Sequence, residues 1–96
     1  MRRYELVVIV SPDVAEDDVP DTVDRLVRQP VESEGGELQE VNNWGRRKLA
    51  YPIQRHQEGN YVLTQLNMDP QKTGELERGL QISEEVLRHL LIRLDE

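Results

Sequence analysis

Trp44-Gly45-Arg46-Arg47-Lys48-Leu49-Ala50-Tyr51-Pro52-Ile53 is the stretch on which the architecture turns. Read with the residues that precede it from Glu37, it predicts one long strand over residues 37–53. Val41, Leu49, Tyr51 and Ile53 share a parity, and Leu38 and Trp44 take the other. The alternation is weakest at Gly45, where a β-bulge is expected. Gln54 to Gly59 then supply a polar hairpin loop, and residues 60–68 the return strand, with Val62, Leu66 and Met68 on one side and Tyr61 and Leu63 on the other. The same stretch is also a basic cluster in an acidic chain. Arg46, Arg47, Lys48 and nearby Arg55 have no acid between them, and Trp44 and Tyr51 add flat apolar surface. Two readings stand side by side: a surface for an RNA backbone or a polar protein partner, or an exposed strand kept soluble by its cations, the more frequent use of basic strand residues.

Upstream, residues 3–10 are rich in β-branched side chains and form a central strand that ends at Ser11-Pro12-Asp13. Glu16, Asp17, Asp18 and Asp21 crowd the start of a helix, with Pro20 in its first turn. Val19, Val23, Leu26 and Val27 fall on one face of that helix. Pro30 opposes its continuation, so the helix is expected to bend or stop near Gln29, with a loose last turn to Glu34 closed by Gly35-Gly36. Downstream, Asp69-Pro70 reads as an N-cap followed by a first-turn proline. Thr73, Leu76 and Leu80 line a short second helix that Gly74 and Gly79 weaken. Residues 86–94 form the last strand.

The order β, α, β, β, α, β is the split βαβ pattern. It predicts an α+β, ferredoxin-like domain over residues 1–96: a four-stranded antiparallel sheet in the order 4-1-3-2, with both helices on one face and the other face free for a partner. A chain of 96 residues is long enough for one such core without metals or disulfides, and it has no cysteine. The short apolar runs and the absence of a signal-like start point to a soluble, unexported protein.

The formal net charge of −7, from 19 acids and 12 bases, argues against indiscriminate adhesion to nucleic acid. The charge is segregated, however: residues 13–40 hold ten acids against Arg25 and Arg28. If folding keeps that segregation, one surface meets RNA and another a basic protein. A second cationic group is expected where Arg2 and Arg3 on strand one lie beside Arg88 and Arg93 on strand four. Those arms either reach phosphates or pair with Glu5, Glu84 and Glu85.

Catalysis lacks its parts. His56 and His89 are far apart in sequence, in a loop and a strand, with no cysteine or spaced carboxylates beside them. No serine sits on an elbow, no glycine-rich loop precedes a helix, and the acids of residues 13–21 lack the spacing of a calcium loop. No enzyme activity, cofactor, metal or small-molecule substrate is therefore expected. Tyr4 and Tyr61 occupy the strands on which RNA-recognition motifs carry stacking aromatics, but Gly59-Asn60-Tyr61-Val62-Leu63 matches that consensus poorly, and Tyr61 reads as core.

Met1-Arg2-Arg3-Tyr4-Glu5, the stretch Trp44 to Ile53 and Val86-Leu87-Arg88-His89 together resemble the bacterial small-subunit ribosomal protein S6 family over essentially the whole chain. The resemblance implies a non-enzymatic, cytoplasmic ribosomal protein that binds the central domain of 16S ribosomal RNA together with ribosomal protein S18, a small basic partner, during platform assembly. Carried over residue by residue, it implies RNA contacts at Arg2, Arg3, Tyr4, Arg88 and Arg93. It implies contacts to the partner or adjoining RNA at Trp44, Arg46, Arg47, Lys48 and Tyr51. Gln81 and Ser83 stand where relatives often carry arginine, Pro30 replaces a usual helix residue, and the extended C-terminal tail of many members is not expected. The competing reading is a non-ribosomal ferredoxin-like interaction module that self-associates through the open sheet face or the edge of strand two.

Overall fold

Alternating burial along β1 (Arg2–Val10) fixes the layers of the molecule: Tyr4, Leu6, Val8 and Val10 face one way into the main core, and Arg3, Glu5, Val7 and Ile9 face the other. The computed structural model describes residues 1–94. After β1 a short 3₁₀ turn at Glu16–Asp18 leads into α1, residues 19–33, followed by β2 (Glu37–Ile53) and β3 (His56–Met68). A second 3₁₀ turn, Pro70–Lys72, precedes α2 (Thr73–Ile82), and β4 (Val86–Arg93) completes the fold. The sheet is antiparallel throughout, in the order β2-β3-β1-β4, the arrangement expected from right-handed crossovers.

The main core joins the even-numbered face of β1 to Val62, Leu66 and Met68 of β3, to Leu76 and Leu80 of α2, and to Val19, Val23, Val27 and Val31 of α1. Each fully buried leucine or valine here contributes on the order of 1.5–3 kcal/mol. Both helices therefore cover one face. Thr64, a polar residue in this layer of β3, donates its hydroxyl to the Leu6 carbonyl at 3.0 Å, so its burial leaves no unmet donor.

Helix α1 does not stop at Gln29. It is α-helical over Val19–Val23, widens to a π-helix over Asp24–Arg28, and is α-helical again over Gln29–Ser33. The Gln29 N–H donates to the Asp24 carbonyl, five residues back. Proline has no N–H for the carbonyl four residues before it and crowds that carbonyl with its ring. The wider turn just ahead of Pro30 relieves the crowding and lets the helix run on. It also explains the core row: valines spaced by four drift around a regular helix of 3.6 residues per turn, and a wider turn brings them back into line. Val31 thus joins the core, while Leu26 is only partly buried. Gly35, at φ +80°, ends the helix, and the Gly36 N–H returns to the Val31 carbonyl at 2.9 Å.

The hairpin departs from expectation in two ways. Its loop is only Gln54-Arg55, both at positive φ (51° and 74°), and β3 already begins at His56, because a primed two-residue turn matches the twist of the flanking strands. Glycine or asparagine normally fills such a turn, and two other side chains in that region cost on the order of 1–2 kcal/mol each. The simple parity expected for β2 also fails. Register shifts fall between Leu38 and Glu40, between Asn43 and Gly45, and between Lys48 and Ile53. The second coincides with Gly45 at φ +80°, the expected bulge. Across the third, β2 advances from Lys48 to Ile53 while β3 moves only from Glu58 to His56. The surplus residues carry Leu49 onto the face away from the helices, where it packs with Ile9 and Leu87 in a second cluster flanked by Ile53 and Tyr61. Gly59 allows this approach, since a Cβ there would lie 2.4 Å from a methyl of Ile9. Val41, Trp44 and Tyr51, expected to alternate between faces, are all exposed.

Chemical denaturation checks this packing. Gly36→Ala places a Cβ 2.5 Å from the Asn67 carbonyl oxygen and is expected to lower stability by about 1–3 kcal/mol. Gly79→Ala, in open space on α2, is expected to raise it by about 0.5–1 kcal/mol. Leu49→Ala, which empties the second cluster, is expected to cost about 2 kcal/mol or more.

Candidate nucleic-acid interface

Three of the chain's cations are neutralised close to the helical layer. Arg25 of α1 lies 2.7 Å from Glu85, Arg28 lies 2.9 Å from Asp24, and Lys72 lies 3.5 Å from Glu34. Glu85 is therefore the partner of Arg25 and not of the strand arginines. The contact ties α1 to the segment before β4, and Thr22 adds a 3.5 Å hydroxyl contact to the same carboxylate. Arg3, Arg46, Arg47, Lys48, Arg55 and Arg88 have no carboxylate within 4.0 Å among the described residues. Around the helices three of four cations are thus cancelled, Arg78 of α2 having no such carboxylate among the described residues, and the larger uncancelled group stands on the strands and the hairpin.

The strand arginines expected to form one group are divided between two ends of the sheet. Arg2 and Arg3 begin β1, and Arg93 lies opposite Tyr4, so these three share one end. The Leu94 N–H reaches the Arg3 carbonyl at 2.9 Å and holds the two strand termini together. Arg88 lies opposite Ile9, five residues further along, which at about 3.4 Å per residue separates it from Arg93 by roughly 17 Å. It belongs to the hairpin end, where its guanidinium donates to the Tyr51 hydroxyl. Tyr4 is only 6% exposed and lies in the main core. Its ring offers no free face for stacking, and its role is to fix the strand end that carries Arg2 and Arg3.

The hairpin end is built by the β2 irregularities. Gly45 re-aims the chain so that the Arg47 guanidinium lies over the Trp44 ring, 5.5 Å from its centroid, while that ring remains 52% exposed. Tyr51 stands outside the second cluster at 56% exposure, with its hydroxyl on Arg88. Arg46 donates to the Pro12 carbonyl at 3.1 Å and so lies against the turn after β1. Tyr61 packs against the second cluster, the core role expected for it. Between the two ends the open face is apolar: Val7 pairs with Leu90 on one side and Leu63 on the other, and Leu90 and Ile92 are exposed.

The histidines are structural in placement. His89 Nε2 lies 3.0 Å from Glu77 of α2, and His56, at the start of β3 and not in a loop, has its Nε2 3.8 Å from Asp13. No group of three or more His, Asp or Glu side chains able to hold a metal occurs among the described residues. Among them, too, no helix is long and apolar enough to cross a membrane. Arg55, counted in the basic cluster from the sequence but not among its contact residues, stands in the two-residue turn of the hairpin, beside a recess that Lys48 also lines.

Comparison with known proteins agrees with this fold. The family model described as ribosomal protein S6 matches residues 3–93. The small ribosomal subunit protein bS6 of Caldanaerobacter subterraneus subsp. tengcongensis is 45% identical over 96 residues, covering all of both chains. That of Acidothermus cellulolyticus is 43% identical over 95 residues, covering 99% of this chain and 98% of its own. The crystal structure of the 30S ribosomal protein S6 from Thermotoga maritima superposes with a TM-score of 0.88 at 31% identity, over 96% of this chain and 86% of that one. A C-terminal domain of the MgtC protein from Mycobacterium tuberculosis, at 16% identity and a TM-score of 0.63, shares the fold alone. These matches set aside the non-ribosomal reading: the chain belongs to the ribosomal protein S6 family, cytoplasmic components of the small ribosomal subunit that are structural and not enzymes.

Proposed function

We propose that this chain binds the central domain of 16S ribosomal RNA jointly with ribosomal protein S18 as the platform of the small subunit assembles. The observation that supports this most is the distribution of uncancelled charge. A molecule of net charge −7 leaves Arg3, Arg46, Arg47, Lys48, Arg55 and Arg88 of its strands and hairpin without a carboxylate within 4.0 Å among the described residues, while of the four cations near its helices Arg25, Arg28 and Lys72 are paired and Arg78 stands without one. Such a protein is repelled by RNA as a whole and attracted by it locally, because fields decay over a Debye length of about 8 Å at physiological salt. A basic partner lessens the repulsion and extends the joint surface, so binding to RNA is cooperative.

In this reading Arg2, Arg3 and Arg93 at one end of the sheet and Arg88 at the other reach phosphates, with Tyr4 holding the first group in place. Trp44, Arg46, Arg47, Lys48 and Tyr51 meet the partner or the RNA beside it. Exposed aromatic area flanked by guanidinium groups suits either surface. The apolar strip of Val7, Leu63 and Leu90 lies between the two ends, where a protein partner can cover it.

Filter binding to a central-domain RNA fragment, with and without S18, checks the proposal. Tighter binding in the presence of S18 is expected, and equal affinity in both cases would contradict the cooperative mechanism. Replacing Arg88 and Arg93 together by alanine is expected to weaken binding and to flatten the dependence of log affinity on log salt by about one for each phosphate that no longer meets a guanidinium.

A further inference from the structure

We infer that the recess beside the hairpin turn, lined by Pro12, Lys48, Arg55, His56, Gln57 and Glu58, seats one phosphate group of the RNA backbone. The inference rests on the RNA-binding reading above and adds to it a contact that lies on neither the open face nor the arginine-bearing end of β1.

The recess exists because the sheet narrows there. β1 ends at Val10, opposite Asn60, so residues 56–59 of β3 extend past it and pair with β2 alone. The side chain of Asn60 is buried, with its amide on the Ser11 carbonyl at 3.3 Å, which marks this side of the hairpin as the one facing the turn after β1. Lys48 and Glu58 are cross-strand partners two residues further out, hence on the same side as Asn60, and Arg46, opposite Asn60, reaches Pro12. The recess is open to solvent, with a volume of ≈ 440 Å³, ample for a phosphate group and the sugar oxygens beside it.

The lining suits an anion. Lys48 and Arg55 have no carboxylate within 4.0 Å among the described residues, although Glu58 shares the recess. Asp13 is the carboxylate that approaches the lining, 3.8 Å from His56 and itself 83% exposed. Lysine supplies a point charge, arginine a planar fork of donors and histidine a ring N–H, the three donor types that phosphate oxygens accept. Arg55 stands in a two-residue turn at φ 74°, in a conformation ordinarily left to glycine or asparagine. Non-glycine residues held in such regions concentrate where a side chain has a binding task. Glu58 is the one feature of the lining that opposes an anion, and it gives the test its sign.

Binding of the same central-domain RNA fragment is measured with S18 present, at several salt concentrations, for the full chain and two variants. Lys48→Ala with Arg55→Ala is expected to make the salt dependence shallower by about one, for the single phosphate that loses its cations. Glu58→Gln is expected to tighten binding about two- to fivefold, the scale of one screened like-charge interaction removed. Both variants are expected to fold, since all three side chains are exposed, and circular dichroism checks this. A double variant with the salt slope of the unaltered chain, or a Glu58→Gln variant that binds no tighter, overturns the recess while leaving the wider RNA reading intact. Weakened binding of the double variant to S18 in the absence of RNA also overturns it, by making the recess a protein contact. An unaltered chain that does not bind the fragment even beside S18 removes the RNA reading and the recess with it.

Discussion

The antiparallel pairing of β2 with β3 is the constraint on which the rest of this molecule depends. Strand β3 is held by β1 on one side and by β2 on the other, so whatever β2 does is referred to a rigid neighbour. A one-residue slip in such a pairing would invert every side chain. This chain instead concentrates its irregularities at three places, and two of them re-aim particular groups. The bulge at Gly45 brings Arg47 over Trp44, and the surplus between Lys48 and Ile53 folds Leu49 onto Ile9 and Leu87. The anchoring of Leu49 then leaves Tyr51 outside with its hydroxyl on Arg88. Bulges weaken the ladder, yet they let a strand present neighbouring residues on one surface.

Electrostatics follows from that geometry more than from composition. A net charge of −7 says little about what an RNA phosphate meets within a few ångströms, because screening confines each charge to its surroundings. What matters is that the helical layer supplies counter-ions for three of its four cations, Arg78 being the exception among the described residues. Arg25, Arg28 and Lys72 sit among the acids of the helices and their flanks and are cancelled there. These are exposed pairs, each contributing at most about 1 kcal/mol, so their consequence is less for stability than for where the remaining charge stands. Arg3, Arg46, Arg47, Lys48, Arg55 and Arg88 face the turn after β1, an open sheet face and solvent, and have no carboxylate within 4.0 Å among the described residues to compete with an external anion.

The two edges of the sheet are managed differently. β4 is tethered to α2 by His89 and Glu77 and continues to the Leu94 N–H, which bonds back to Arg3. β2 is long and carries charge and bulges along its free edge, which disfavours indiscriminate pairing with other strands. The same devices that protect an edge from aggregation thereby furnish a charged, aromatic surface for a chosen partner. Helix α1 behaves similarly: Pro30 conflicts with a regular helix, and the wider turn before it both accommodates the proline and aligns Val19, Val23, Val27 and Val31 in one buried row.

Element order, strand order and the helix-covered face were legible in the sequence, because they follow from local hydrophobic periodicity and from the handedness of crossovers. The bulge at Gly45, the closure of α1 by Gly35-Gly36 and the core role of Tyr61 were legible for the same local reason, as were the family-bearing residues around Trp44 to Ile53. The convergence of cations was not. Arg88 and Arg93 lie close together in sequence, but a strand rises about 3.4 Å per residue and carries them to different ends of the sheet. Tyr4 looked available for stacking because its strand is right, and only the packed core shows its ring enclosed. Arg55 and Lys48 belong together because a two-residue turn and a register shift fold them around the end of β1. Periodicity is a property of each segment, whereas the meeting of side chains depends on register, bulges and the place where a neighbouring strand ends, and those are set by the assembled sheet.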